Sequence, residues 1–309
     1  MNSSLGKPRT QNRTETSRAF ATGLICKARR VIWVGAASLM INSIPDLLTG
    51  EEIVPSPPNG ALLTEYNGTL RLSEDNAVIS DMLITGDVIV EADNVTLKNV
   101  KIFSANEFAA VHVMGSADNF KLIDSEIDGR GRTHSAINGF GAFLRNDIKG
   151  AENGINITGP ALIKDNYIHG LRNVGEPHYD GIQVDGGRDI RIISNTIVNE
   201  NTQTAAVMLD NYFSGLSNIT VENNRLFGGG YVLYVDASFD GGPVDNASIR
   251  VINNQVGGGY YGNFAFTKSK PVVYGNVALN AAPQKVQKRR SPILMSPCAV
   301  SCGSGLMGR

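Results

Sequence analysis

The sequence predicts a single right-handed parallel β-helix, an all-β solenoid of about seven to nine rungs. Three observations lead to this prediction. One short strand phrase recurs through the middle two-thirds of the chain, no segment of the repeat has a helical period of 3.6 residues, and glycine is frequent. Glycine accounts for 34 of the 309 residues and aromatic residues for only 7%. This balance is typical of a chain with many tight turns, because glycine tolerates the positive φ angles that turns require.

The recurring phrase is apolar-x-apolar-x-x-Asn-x-apolar. It places an asparagine at residues separated by 20, 29, 29 and 30 positions, namely Asn146, Asn166, Asn195, Asn224 and Asn254. Self-similarity at this period is the signature of a solenoid. We expect the asparagines to stack at one turn as a hydrogen-bonded amide ladder, so their role is structural.

A second short strand lies between successive copies of the phrase. Equivalent residues of stacked rungs form columns, because parallel strands lie about 4.8 Å apart. Two columns are apolar and should point inward: Ile155, Ile182, Val207, Leu233 and Phe264, and then Ile157, Val184, Leu209, Val235 and Phe266. A leucine-rich repeat or a β-propeller would need a different spacing.

The rest of the chain lacks this repeat. We expect residues 1–50 to be a basic leader with a short apolar run, residues 51–74 a capping region, residues 75–280 the β-helix and residues 281–309 a disordered or irregular tail. The apolar run, Val31–Ile41, has eleven residues, too few for a bilayer span of about 20. Basic residues before such a run resemble an export signal, which predicts a secreted or cell-envelope protein. A disordered leader and an amphipathic capping helix fit equally.

Charge and cysteine content exclude some classes. The formal net charge is −1 with 18% charged residues, so nothing indicates a nucleic-acid partner. Cys26, Cys298 and Cys302 all lie outside the repeat, so they cannot be the framework of the fold. The sequence does not predict an oligomeric state.

Three phrases resemble bacterial right-handed β-helix repeat proteins of the pectin-lyase-like superfamily. They are His178-Tyr-Asp-Gly-Ile-Gln183, Gly186-Gly187 followed by Ile190-Arg-Ile-Ile-Ser-Asn195, and Gly228-Gly-Gly-Tyr231-Val-Leu-Tyr234. The resemblance covers about residues 75–280 and implies the β-helix fold. The superfamily includes pectate and alginate lyases, polygalacturonases, mannuronan epimerases and phage tailspikes, so the resemblance does not choose a reaction.

Two outward columns of the short strands carry the candidate chemistry. The first column comprises His112, Asn138, Asn156, Gln183, Met208, Tyr234 and Ala265, and the second comprises Thr158, Asp185, Asp210, Asp236 and Thr267. Three aspartates on consecutive rungs would lie about 5 Å apart, and the outer pair about 10 Å. Carboxylates this close share a proton or hold a cation. They therefore predict either an acid/base pair or a calcium site at Asp185, Asp210 and Asp236. Capping of turns by the same carboxylates is the structural alternative.

The loop at residues 169–180 extends one rung and supplies a second candidate. His178 and Asp180 lie two residues apart there, so their side chains are expected on the same face of an extended chain. The aspartate could then orient a histidine that gains and loses a proton near neutral pH. The structural alternative is that Asp180 caps the strand while His178 packs on the turn. Further residues are candidates for substrate binding: Gln183 by its amide, Arg172 and Arg188 toward a uronate carboxylate, and Tyr231 and Tyr234 as stacking platforms.

These features predict a carbohydrate-active enzyme with a polysaccharide partner. The expected reaction is β-elimination or hydrolysis of an extracellular polymer, with a uronate-containing polymer among the candidates, and uronate epimerisation is a weaker alternative. A non-catalytic polysaccharide-binding or surface-structural β-helix, similar to an adhesin or a tailspike, fits the same fold.

Overall fold

The structure, a computed structural model, describes residues 63–280. The basic leader, the apolar run, the three cysteines and the tail predicted after residue 280 lie outside the described residues. The described part contains 22 strands and one short 3₁₀ helix. The strands are β1 (Thr64–Asn67), β2 (Leu70–Leu72), β3 (Val78–Thr85), β4 (Val88–Val90), β5 (Thr96–Phe103), β6 (Ala109–Val113), β7 (Lys121–Ile123), β8 (Glu126–Leu144), β9 (Asp147–Lys164), β10 (Tyr167–Ile168), β11 (Asp180–Val184), β12 (Gly187–Ile193), β13 (Thr196–Asn199), β14 (Ala205–Asp210), β15 (Leu216–Glu222), β16 (Arg225–Gly228), β17 (Tyr231–Asp236), β18 (Ile249–Ile252), β19 (Gln255–Gly257), β20 (Gly262–Thr267), β21 (Val272–Tyr274) and β22 (Val277–Ala278). In this range no helix is long and apolar enough to cross a membrane.

The strands stack in three faces, and all ladders between the named strands are parallel. We call the first the site face: it runs β2, β4, β6, β8, β9, β11, β14, β17 and β20, which makes nine rungs. In its later rungs the second face consists of β10, β13, β16, β19 and β22. The third face consists there of β12, β15, β18 and β21. Parallel strands that return after each turn of the chain confirm the predicted parallel β-helix.

The solenoid begins earlier than the sequence indicates. β1 pairs with β3 and β2 with β4, so strands of the first rung lie within the segment expected to be a capping region, residues 51–74. The long strands β8 and β9 each take part in all three faces, and their mutual ladder shifts register between Asp128 and Thr133 and between Gly139 and Gly141.

The core follows the predicted inward columns. Ile155, Ile182, Val207 and Leu233 are paired in register and have no exposed surface. Burial of each such side chain stabilises the fold by about 1.5–3 kcal/mol. The last rung departs from the prediction, since Phe264 is partly buried and Phe266 is 37% exposed. No described rung packs on the far side of β20, which explains their exposure.

The predicted amide ladder is confirmed and extends by one rung to Asn276. Each asparagine Oδ1 accepts both the backbone N–H and the side-chain Nδ2 of the asparagine on the preceding rung, at 2.8–3.0 Å. The residue before each ladder asparagine has a positive φ, between 54° and 69°. This left-handed residue turns the chain and aims the amide into the stack.

Candidate functional site

The outward column of the site face has the predicted register. His112 pairs with Asn138, and the series continues through Asn156, Gln183, Met208, Tyr234 and Ala265. Met208 and Tyr234 are only partly buried, as expected for side chains that point away from the core. The short strands therefore present one continuous outer surface across the rungs.

The three aspartates also form the expected column. Asp210 lies directly opposite Asp236 in the ladder, and Asp185 directly follows Val184, which pairs with Leu209. Each carboxylate accepts one local hydrogen bond: Asp185 Oδ1 from Gln183 Nε2 at 2.9 Å, Asp210 Oδ1 from the Tyr212 N–H at 2.9 Å, and Asp236 Oδ1 from the Ser238 N–H at 2.8 Å. Asp210 and Asp236 thus cap turns and form a charge cluster at the same time.

Burial and mutual repulsion change the acidity of this column. The pKa of Asp210 is raised to about 6, chiefly by burial and also by the charges of Asp185 and Asp236, although the hydrogen bond from the Tyr212 N–H lowers it. Burial also raises the pKa of Asp185, while Gln183 and the charge of His134 lower it. A carboxyl group poised near neutral pH beside other carboxylates is characteristic of acid/base sites.

The calcium site expected at these aspartates finds no support in the geometry. Within residues 63–280 there is no group of three histidine, cysteine, aspartate or glutamate side chains placed so that it could hold a metal ion. Each carboxylate instead takes a hydrogen bond from its own rung, as described above. Calcium binding at this column stays a prediction.

Asp180 and His178 are not brought together in the way the sequence suggests. Asp180 is 2% exposed, and its Oδ1 accepts the Ala205 N–H at 3.0 Å. Burial holds the pKa of Asp180 well above its usual range, and the charges of Asp185 and Asp210 add to this effect. The His178 side chain is exposed, and its backbone N–H donates to Glu152 Oε1 at 3.0 Å. Asp180 therefore belongs to the carboxylate cluster, whereas nothing in these contacts orients the His178 ring.

Sequence reasoning missed His134 and Glu152. His134 Nδ1 lies 3.0 Å from Ser135 Oγ, and Nε2 lies 3.9 Å from Glu152 Oε1. The charge of His134 also lowers the pKa of Asp185, so this histidine acts on the aspartate column electrostatically. Ser135 pairs with Asn153, so extending the site-face register back by four residues from Asn138 would have placed His134 and Glu152 beside one another.

An amide network fixes the position of Asp185. Gln183 Oε1 accepts Asn153 Nδ2 at 2.6 Å and Asn156 Nδ2 at 3.3 Å, while Gln183 Nε2 donates to Asp185. Because both of its polar atoms are engaged, Gln183 orients a carboxylate. The sequence had assigned it to substrate binding.

The two arginines expected to bind a uronate contact other partners. Arg172 lies beside Gly131, and its Nη2 is 4.0 Å from Asp128 Oδ1. Arg188 is exposed and pairs with its neighbour Asp189 at 3.5 Å. Among the described residues, no lysine or arginine forms an ion pair with the aspartates of the column.

The predicted tyrosine pair is assembled at the start of β17. The rings of Tyr231 and Tyr234 meet edge to face at 5.4 Å, and Tyr261 lies 5.8 Å from Tyr231. The Tyr234 hydroxyl accepts the Tyr231 N–H at 3.2 Å. Burial raises the pKa of Tyr234, and the charge of Asp180 contributes to this shift, so the tyrosines border the carboxylate cluster.

Comparisons with known proteins give a likeness at the level of fold. No protein-family model matches the chain, and no curated protein matches it. Among solved structures, the A-module of a mannuronan C-5 epimerase from Azotobacter vinelandii is similar, with 16% identity and a TM-score of 0.34, over 72% of this chain and 80% of that chain. This likeness assigns no activity to the chain, and membership of the pectin-lyase-like superfamily stays a prediction.

Proposed function

We propose that this protein binds a polysaccharide across the site face and hydrolyses it with the carboxyl pair Asp210 and Asp236. One observation carries the proposal: two carboxyl groups lie in register on adjacent rungs, and the pKa of Asp210 is raised to about 6. A protonated acid beside an ionised carboxylate is the pairing that glycoside hydrolysis requires.

The division of roles follows from the environments. Asp210 donates its proton to the glycosidic oxygen as the bond to the anomeric carbon breaks. The Asp236 carboxylate bonds to that carbon, and water activated by Asp210 then releases the sugar. Adjacent parallel strands lie about 4.8 Å apart, which is close to the ~5–5.5 Å carboxyl separation of retaining glycosidases. We therefore expect retention of configuration.

The electrostatics favour hydrolysis over β-elimination. Elimination and epimerisation both begin with removal of the proton next to a uronate carboxylate, and a positive group must neutralise that carboxylate. Among the described residues no lysine or arginine forms an ion pair with the column, and Arg172 and Arg188 contact Asp128 and Asp189 instead. A neutral sugar meets less repulsion there than a uronate.

A product assay tests the reaction. The protein is incubated with neutral and uronate polysaccharides, and reducing ends and absorbance near 235 nm are followed together. Hydrolysis predicts new reducing ends without absorbance, and Asp210→Asn should lower kcat by at least about 100-fold, the typical contribution of a general acid. The matched control is Asp118→Asn, an exposed aspartate outside the column, which should retain full activity.

The pH dependence supplies a second readout. Asp210 must be protonated to act as the acid, so kcat should fall as the pH rises through about 6. A rise of absorbance near 235 nm would contradict hydrolysis and indicate elimination. Full activity of Asp210→Asn would remove the pair from the mechanism.

A non-catalytic binding role is the second candidate. The observation that favours it is that Asp210 and Asp236 cap the turns after their strands, which is a sufficient structural use for both. Binding of a polysaccharide without any new reducing ends would support this role.

A further inference from the structure

Three exposed aromatic rings form a patch at the turns that follow β14 and β17. Tyr212 is 56% exposed, Phe213 74% and Phe239 41%. The Tyr212 ring meets Phe213 edge to face at 4.8 Å and Phe239 at 5.3 Å. We call these three residues the aromatic platform. Large apolar rings clustered at the surface mark a binding site more often than a chance exposure.

The platform is held by a buried amide. Asn211 is 3% exposed. Its Nδ2 donates to the carbonyls of Phe239 and Gly242, both at 2.8 Å, and its Oδ1 accepts the Phe239 N–H at 3.1 Å. A Cβ at Gly241 would lie 2.1 Å from the Asn211 carbonyl oxygen, so the two turns approach as closely as only glycine permits. The rings are therefore presented by a fixed backbone.

Hydrogen bonds connect the turn that carries Tyr212 and Phe213 to the aspartate column. The Tyr212 N–H donates to the Asp210 carboxylate, the Phe213 N–H donates to the Asp185 carbonyl at 2.8 Å, and the Asn211 N–H donates to the Asp236 carbonyl at 3.2 Å. The three rings consequently lie on turns that begin within two or three residues of the proposed acid and nucleophile.

Polar groups accompany the rings. A depression of about 410 Å³ opens beside Phe239 and is also lined by Asn211, Asp240, Asn246 and Lys268. Pyranose rings present C–H faces that pack on aromatic rings and hydroxyl edges that need hydrogen bonds. Rings next to amide, carboxylate and ammonium groups offer both.

The platform is too small to hold a second copy of the chain. An aromatic side chain covers about 150–250 Å², so the exposed parts of the three rings amount to a few hundred Å². A stable protein interface buries about 800 Å² on each partner. The area matches one or two sugar rings better than a protein.

We propose that Tyr212, Phe213 and Phe239 form a carbohydrate subsite that stacks a pyranose ring of the polymer next to the bond cleaved at Asp210 and Asp236. Its place beside the cleaved bond rests on the proposed hydrolysis, whereas sugar binding at the platform does not. The ligand is a pyranose polymer of at least a few units, because the platform and the aspartate column must be covered by the same chain.

Binding is measured by affinity electrophoresis with xylan, hydroxyethyl cellulose and polygalacturonate as probes, in the full chain carrying Asp210→Asn so that the polymer stays intact. Adding Tyr212→Ala and Phe213→Ala should weaken binding of the best probe by about tenfold or more. Phe213→Ala alone, at the most exposed ring, should weaken it less and leave the melting temperature unchanged. The matched control is Tyr274→Ala, which removes a 50% exposed ring from the third face.

The outcomes separate the subsite from the reaction. Unchanged binding in the double variant, an equal loss in Tyr274→Ala, or no binding of any probe by the parent would overturn the subsite. So would sedimentation showing a dimer that the double variant converts to monomer. If the wild-type protein cleaves no polymer but the double variant still loses binding, the hydrolysis is wrong and the subsite stands.

Discussion

Two columns of polar side chains run along this β-helix, and they behave oppositely. The amide ladder, Asn146 to Asn276, joins each of its six rungs to the next through two hydrogen bonds. The aspartate column, Asp185, Asp210 and Asp236, makes no hydrogen bond between its own side chains, and each carboxylate is satisfied within its own rung. Both columns place one polar residue per rung at a turn.

The difference lies in the chemistry of the two groups. An amide is donor and acceptor at once, so a stack of amides satisfies itself and the buried backbone. An ionised carboxylate only accepts, so stacked carboxylates repel one another. The ladder therefore stabilises the fold, whereas the aspartate column destabilises it. Groups that cost stability and persist on a surface face are characteristic of functional sites.

Loss of one asparagine of the amide ladder should lower the free energy of unfolding more than any other change considered below. Asn195→Ala removes the acceptor of the Asn166 N–H and Nδ2, and the donor to the Asn224 amide. Each buried group left unsatisfied costs about 1–3 kcal/mol. We expect the free energy of unfolding to fall by about 3–5 kcal/mol in urea denaturation. Asn67→Ala, at an exposed position of β1, is the control and should change it by less than about 0.5 kcal/mol. A loss below 1 kcal/mol at Asn195 would contradict the structural role of the ladder.

A smaller effect of opposite sign is expected at the aspartate column. The pKa of Asp210 is raised to about 6 in the folded protein from the ordinary value of 3.8 for an aspartate. The folded state therefore binds more protons than the unfolded state between these pH values, so stability falls as the pH rises through this window. A shift of about 2 units corresponds to at most about 3 kcal/mol.

Asp210→Asn removes this penalty, so its stability relative to the wild type should increase as the pH rises from 4 to 7. The two proteins should differ little at pH 4, where the wild-type carboxyl is already neutral. Urea denaturation at both pH values measures the difference. A difference that does not change with pH, or that has the reverse sign, would show that ionisation of Asp210 does not destabilise the folded protein.

Removal of the Asp236 charge should have the smallest effect on stability and should test whether Asp236 and Asp210 interact. Asp236 is more exposed than Asp210 and contributes to the raised pKa of Asp210 through its charge. Asp236→Asn should lower the pKa of Asp210 while changing the free energy of unfolding at pH 7 by less than about 1 kcal/mol. Carbon-13 NMR titration of the Asp210 carboxyl measures the shift. An unchanged or higher pKa would mean that the two carboxylates do not interact.

The register of the stacked strands could be predicted from the sequence because side chains along a β-strand alternate between inward and outward positions. Once Ile182, Val207 and Leu233 are aligned as inward residues, their neighbours Gln183, Met208 and Tyr234 must point outward, and the structure pairs them in that register. The amide ladder followed from the same alignment. Asn276 was not predicted as a ladder residue because its rung, near the end of the repeat, matches the strand phrase less well.

Contacts made by turns were not accessible in the same way. The aromatic platform follows the strand ends, where no periodic pattern constrains direction. His134 and Glu152 lie within β8 and β9 and could have been reached by extending the register. The exposure of His178 and the pairing of Arg172 with Asp128 depend on loop paths that the sequence does not encode as a pattern. These residues are placed by neighbouring rungs.

The sequence by itself determined the solenoid, its inward columns, the amide ladder and the alignment of Asp185, Asp210 and Asp236, because stacking at a fixed distance converts spacing along the chain into position in space. Only the tertiary structure decided the chemistry of that alignment. Burial and neighbouring charges raise the pKa of Asp210, the charge of His134 lowers the pKa of Asp185, and Asn211 holds the backbone of the aromatic platform. Desolvation and charge interaction depend on all surrounding atoms, and no spacing rule contains them.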